Sequence, residues 1–404
     1  MNRVAITGLG VVSPAGQSVR DYWDCLIAGR PALTPSQLGM AAQTAGRLVG
    51  EVKGFDPAAH FEPAQVLLLD RVSQFAVVAA RQAVSQSGLT LGGALAERTA
   101  AIIGTGSGGH GTVDESFRRL YAQGAARLHP LTIPKAMISA PASQVSIFCG
   151  TKGPAFAVSS ACASASHAIG QAFHMVRGGT VTCAVAGGAE ASLTFGAMKG
   201  WEAMRIMSPD TCRPFSRERK GMVIGEGAAV VVLEALDHAR GRGADILAEI
   251  VGFGMSADSQ DLTAPDANGM ARAIGAALAD AASPADAIDY VNAHGTGTTA
   301  NDAAETAALH LSFGAHARQL AVSSTKSAIG HALGAAGALE LVAAIMAIRD
   351  GIAPPTMNYL GTDADCDLDY VPNEARRMPV RTILSNSFAF GGLNAVLAAR
   401  RYTG

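Results

Sequence analysis

Ala157-Val-Ser-Ser-Ala-Cys162 in the first half of the chain is answered by Ala321-Val-Ser-Ser-Thr-Lys326 in the second. Each stretch reads as the end of a buried strand that enters an alanine- and glycine-rich segment with helical spacing. Three more pairs recur in the same order: VAITGLG from Val4 with AEIVGFG from Ala248, IIGTGSGG from Ile102 with VNAHGTGT from Val291, and CAVAGGAEA from Cys183 with SNSFAFGGLNA from Ser385. Each match is weak by itself, but four in one order point to a duplicated unit. The glycine/arginine turn from Gly241 to Ala244 is the natural seam. It predicts halves spanning 1–243 and 244–404, packed as one body because no disordered linker separates them.

Working outward, short β-branched runs are expected as buried strands at Val4 to Gly8, Ala100 to Gly104, Phe156 to Ser159, Val181 to Gly187, Ile246 to Gly252, Ile288 to Ala293, Leu320 to Ser324 and Thr382 to Ser385. Between them, Arg71 to Gln86, Ser164 to Arg177, Asp302 to Leu311 and Ala335 to Arg349 carry helical spacing. Strands that alternate with helices predict a layered α/β architecture. The chain is 49% hydrophobic and 16% charged, enough apolar material for a large core. Lys+Arg 31 against Asp+Glu 33 leaves no charge excess to draw it onto nucleic acid or an anionic membrane. The opening MNRVAITGLGVVSP lacks the apolar core of a signal peptide, and no apolar run reaches the ~18 residues that span a bilayer. A cytoplasmic protein without stable membrane insertion is expected.

The six cysteines form no CxxC pair and suggest neither a zinc site nor a disulfide framework. Cys162 differs from the others by its place at a strand-to-helix junction, where unpaired N–H groups and the helix dipole are expected to lower its thiol pKa. His294, in VNAHGTGT, and His331, in STKSAIGHALGAAG, fall at strand ends inside glycine turns that let a ligand come close. The repeat puts Lys326 at the position equivalent to Cys162, and Glu305 is the acid expected to pair with it. Phe390 lies in SFAFGG, a turn whose N–H could serve an oxyanion hole. Gly104-Thr-Gly-Ser-Gly-Gly109 satisfies GxGxxG, yet the acidic residue a dinucleotide site needs about 20 positions later is missing. A dinucleotide-binding oxidoreductase is thereby set aside.

The motifs VSSACASA, VNAHGTGT, STKSAIGHALGAAG and SFAFGGLN together resemble the β-ketoacyl-ACP synthases of thiolase fold, over nearly the whole chain. The chain is similar to the elongating synthase II type, and WEAMRIMSPDTCRPFSRERKGMVIGEGAA resembles the nodulation protein NodE branch. The resemblance implies a thiolase-like αβαβα layered fold and a decarboxylative condensation, with an acyl chain on Cys162 extended by a malonyl unit on acyl carrier protein. It implies that His294 and His331 stabilise the enolate, that Lys326 and Glu305 orient His331, and that Phe390, Ser107, Trp201, Thr296 and Thr298 contact substrate. Ser107 stands where synthase II types often carry a larger aliphatic residue, which implies a deeper acyl pocket.

No metal or redox cofactor is implied beyond the carrier's phosphopantetheine arm. A homodimer is expected, or a heterodimer with a related subunit, joined through the strand near Val181 to Ala186. Val66-Leu-Leu-Leu69 replaces the basic cluster for the carrier and leaves Arg127, Arg205, Arg217, Arg219 and Lys220 as candidates. Two rivals remain. A silent chain-length subunit is disfavoured by the presence of Cys162, and a thiolase by the two histidine motifs.

Overall fold

The computed structural model describes residues 1–36 and 48–404. Its main sheet contains ten strands: β1 (Val4–Val12), β2 (Thr99–Gly104), β3 (Ala155–Val158), β4 (Cys183–Glu190), β5 (Gly227–Ala235), β6 (Ala248–Ala257), β7 (Tyr290–Asn292), β8 (Ala321–Ser323), β9 (Thr382–Ala389) and β10 (Leu393–Arg400). From the middle outward the first half runs β1-β5-β4-β2-β3 and the second runs β6-β10-β9-β7-β8. Directions agree as well as order. In each set the first two pairings are antiparallel and the last two parallel. The sets join where β1 pairs antiparallel with β6, Val4 opposite Ile250 and Ile6 opposite Ala248.

Helices fill three layers around these strands. α3 (Ser164–Arg177) and α6 (Ala336–Asp350) both touch strands of both sets and form the middle layer. α1 (Arg71–Ser87) and α2 (Ala140–Cys149) cover the outer face of the first set, and α4 (Ala267–Asp280) with α5 (Thr299–Phe313) covers the second. The result is the thiolase-like αβαβα fold. α6 is buried along Ala336 to Ile348, which a helix can tolerate only when it is apolar on every face. Glu340 is the one acid in that stretch.

The layers lie close because glycine permits it. A Cβ on Gly8 would sit 2.0 Å from the Ala83 carbonyl oxygen, and one on Gly10 would sit 1.8 Å from that of Ala79, so α1 can rest directly on β1. α1 itself is capped by the Asp70 carboxylate, which accepts from the Val72 N–H, and it ends at Gly88 with φ 67°.

Two strands of the main sheet exceed the sequence expectation: β5, GAAVVVLEA, and β10, LNAVLAAR. The strand expected to join two subunits is corrected. β4 is flanked by β2 and β5 and has no free edge, whereas β3 is the open edge, with Ala155 and Phe156 exposed.

Candidate active site

Cys162 sits between β3 and α3, two residues ahead of the first helical residue. Ala161 before it has φ 49°, a left-handed conformation that is strained for a residue with a side chain and that turns the thiol inward. His294 follows β7, and His331 is pinned by its own backbone: its N–H donates to Val223 O at 2.7 Å and its carbonyl accepts from Gly225 N at 2.8 Å. Cys162 Sγ and a ring nitrogen of each histidine lie within 4.8 Å of one another. The imidazoles stand 5.3 Å apart, nearly perpendicular at 84°. All three open on a cavity of about 420 Å³ that Thr296, Thr298 and Phe390 also line.

The hydrogen bonds fix the tautomers. Lys326 Nζ, a donor only, faces His294 Nδ1 at 3.2 Å, and the Leu333 N–H donates to His331 Nδ1 at 3.2 Å. Each ring therefore carries its proton on Nε2. Burial, together with the Lys326 charge, holds both imidazoles well below the usual histidine range, so both are neutral. His331 Nε2 is buried without a protein partner, as a donor reserved for a ligand would be. The same tautomers argue against a metal on Cys162, His294 and His331, because a ligating Nε2 would need its lone pair free and its Nδ1 proton facing an acceptor.

Burial also overturns the expectation for the thiol. The Cys162 thiol is pushed up to about 12, and the Lys326 charge and the Phe390 N–H recover only part of that shift. The resting group is thiol, since loss of water outweighs the start of a helix. Phe390 lies in the turn between β9 and β10, where Gly391 and Gly392 take φ 80° and 66°. Gly391 N–H donates to Leu262 O at 2.7 Å, tying this turn to the loop on the far wall of the cavity. The Trp201 ring lies 6.3 Å from that of Phe390 but outside the cavity lining. Ser107 is also outside it, half-buried on the loop after β2.

Lys326 is paired with Glu340 of α6 rather than Glu305, which corrects the expected partner. Its remaining N–H groups go to His294 O at 2.5 Å and His294 Nδ1, so it orients His294 and not His331. Glu305 instead accepts from the His294 and Gly295 N–H groups, both at 2.8 Å, and from Asn386 at 3.2 Å. Burial raises its carboxyl to about 7 against those donors. The signal for Glu340 was in the sequence: a single acid in an otherwise apolar helix requires a buried partner. Among the basic candidates, Arg219 is buried on Asp363, Arg217 pairs with Glu218, and Lys220 with Asp210. Arg127 and Arg205 are exposed, with no ion pair among the described residues.

A fold of two matching strand sets and a cavity of one thiol and two neutral imidazoles define a condensing-enzyme architecture. The chain belongs to the β-ketoacyl synthase family: the N-terminal domain model matches residues 1–239 and the C-terminal domain model residues 247–360. It is 47% identical to Nodulation protein E of Rhizobium sp. (strain N33) over 99% of both chains. It is 44% identical to 3-oxoacyl-[acyl-carrier-protein] synthase 2 of Coxiella burnetii, over 99% of this chain and 98% of that one. Among solved structures, the ishigamide ketosynthase/chain length factor superposes with a TM-score of 0.94 at 36% identity, covering both chains fully. The chain is an acyl-transferring condensing enzyme.

Proposed function

We propose that this synthase extends an acyl group held on Cys162 with a malonyl unit, both delivered by acyl carrier protein, and that the two Nε2–H groups of His294 and His331 are the donors that make decarboxylation possible. The observation that carries the reading is their shared geometry. Two neutral rings have Nδ1 occupied by donors, and both line one cavity with Cys162, a ring nitrogen of each within 4.8 Å of its sulfur.

In the first half-reaction Cys162 sulfur attacks the acyl thioester carbonyl, the oxyanion sits on the Cys162 and Phe390 N–H groups, and the thiol proton leaves with the pantetheine sulfur. No net base is needed, which suits a thiol of raised pKa. In the second, the malonyl thioester oxygen accepts from both imidazoles, carbon dioxide departs, and the enolate carbon attacks the acyl-Cys162 carbonyl. The thiolate released takes one proton from water. The protein supplies position and electrostatics, with no cofactor beyond the carrier's arm.

Lys326 holds His294, Glu305 holds the His294–Gly295 backbone, and Thr296 and Thr298 face the arm. The matching strand orders support reading the chain as two duplicated halves that meet near residue 243. No described helix is long and apolar enough to cross a membrane, and the reading places the enzyme in the cytoplasm. The open β3 edge is the surface proposed for a second subunit, identical or related, and exposed Arg127 and Arg205 for the acidic carrier, since Leu67 and Leu68 present an apolar surface instead.

The test is intact-protein mass spectrometry after incubation with acyl carrier proteins of graded chain length: acyl adducts on Cys162, turned over by malonyl carrier, support the reading. An unmodified protein favours a silent chain-length subunit.

A further inference from the structure

Glu190, the last residue of β4, is fully buried and takes no part in the chemistry above. Its carboxylate joins the two halves of the site. Oε2 accepts from the Gly106 N–H at 2.7 Å and the Gly334 N–H at 3.0 Å, and Oε1 accepts from the Ser107 N–H at 3.2 Å. Gly106 and Ser107 lie on the loop after β2, which packs beside the Cys162 turn: Thr105 N–H donates to Val158 O at 3.1 Å, and a Cβ on Gly104 would strike the start of α3 at Ser164. Gly334 belongs to the turn that carries His331. The junction admits no side chain, because a Cβ on Gly334 would lie 2.2 Å from the Gly106 nitrogen and 2.6 Å from Glu190 Oε2.

The turn at Gly334 is strained. Leu333, with a side chain and φ 47°, is held left-handed, and its N–H is the group that donates to His331 Nδ1. Left alone, that turn would relax and withdraw the amide. His331 Nδ1 could then take the ring proton, leaving a lone pair where the cavity needs a donor.

Resting on the functional reading above, we propose that Glu190 is a positioning residue for decarboxylation: by anchoring Gly334 against the Gly106–Ser107 loop, it keeps Leu333 N–H on His331 Nδ1 and the Nε2–H facing substrate. The reach is one-sided. The His331 tautomer bears on decarboxylation alone, and at Cys162 the Glu190 charge only adds to the rise of the thiol, so its removal does not slow acyl transfer.

Glu190→Gln removes one acceptor oxygen and sets an NH₂ against backbone N–H groups. Expected are a fall of about tenfold to a hundredfold in malonyl-carrier decarboxylation, below the full loss of an oxyanion donor, acyl transfer to Cys162 within about threefold, and ring ¹⁵N shifts showing His331 with its proton partly on Nδ1. Equal loss in both half-reactions, or a parent-like decarboxylation rate with an unchanged tautomer, overturns the proposal. Where Glu190→Gln does not fold, Glu190→Asp, one methylene too short to reach both loops, is read in the same assays. Failure of both to fold also overturns it, since the carboxylate would then serve the fold alone. If the unsubstituted protein itself does not decarboxylate malonyl carrier, the functional reading falls instead, and the ¹⁵N comparison still decides the role of Glu190.

Discussion

Cys162 and Lys326 stand at the same place in two strand sets of identical order, each just beyond the outermost strand, and the two surroundings are opposite. β3, before Cys162, is exposed at Ala155 and Phe156, whereas β8, before Lys326, is wholly buried because Val322 N–H donates to Asp369 O at 2.9 Å and the following segment covers it. Cys162 keeps its sulfur on the cavity. Lys326, 1% exposed, spends its donors on Glu340 and on both the carbonyl and Nδ1 of His294. The first set thus leaves its outer strand open, while the second is closed around the Lys326 contact with the His294 ring.

The hardest break of that contrast is Cys162→Ala. It should leave the fold intact and reduce condensation by at least about 10⁴-fold, as expected for loss of a nucleophile, with no acyl adduct by mass spectrometry. Lys326→Met tests the closed copy. It strands Glu340 as an uncompensated buried acid, with an expected loss of about 3–5 kcal/mol in denaturant unfolding. Adding Glu340→Leu should restore most of that stability without restoring decarboxylation, because His294 Nδ1 would still lack its donor. His331→Ala should cut decarboxylation by about 10²- to 10³-fold while single-turnover acyl transfer stays within a few-fold. Equal losses in both steps would show that the open and closed copies do not divide the reaction.

A pH profile sharpens the comparison from the closed side. Burial raises Glu305 to about 7 from an ordinary value of 4.5. Between those values the folded state binds a proton that the unfolded chain has released. This group's contribution is therefore fully present below about pH 4.5 and is lost as pH rises through about 7. The span is on the order of 3 kcal/mol. Glu305→Gln should flatten unfolding free energy over that window, with a residual slope of the same sign from Asp302, which burial raises to about 6. The smallest effect concerns the open edge: Phe156→Glu places a charge on β3 and should weaken self-association about tenfold or more in sedimentation, with the monomer's unfolding midpoint unchanged.

The sequence by itself determined the layered α/β class and the place of Cys162, His294 and His331 at strand ends, because those features are carried by local patterns: β-branched runs and glycine turns. It left β5 and β10 unseen. GAAVVVLEA and LNAVLAAR suit helix or strand alike, and only hydrogen bonding to β1, β4, β6 and β9 decides between them.

The partner of Lys326 was a choice between acids far apart in sequence, settled by the burial of α6, which brings Glu340 to the ammonium and leaves Glu305 beneath the His294 backbone. The protonation states of Cys162 and both histidines were likewise outside the reach of local pattern. They follow from desolvation at the meeting of two halves, a property of the packed layers that no stretch of the chain possesses alone.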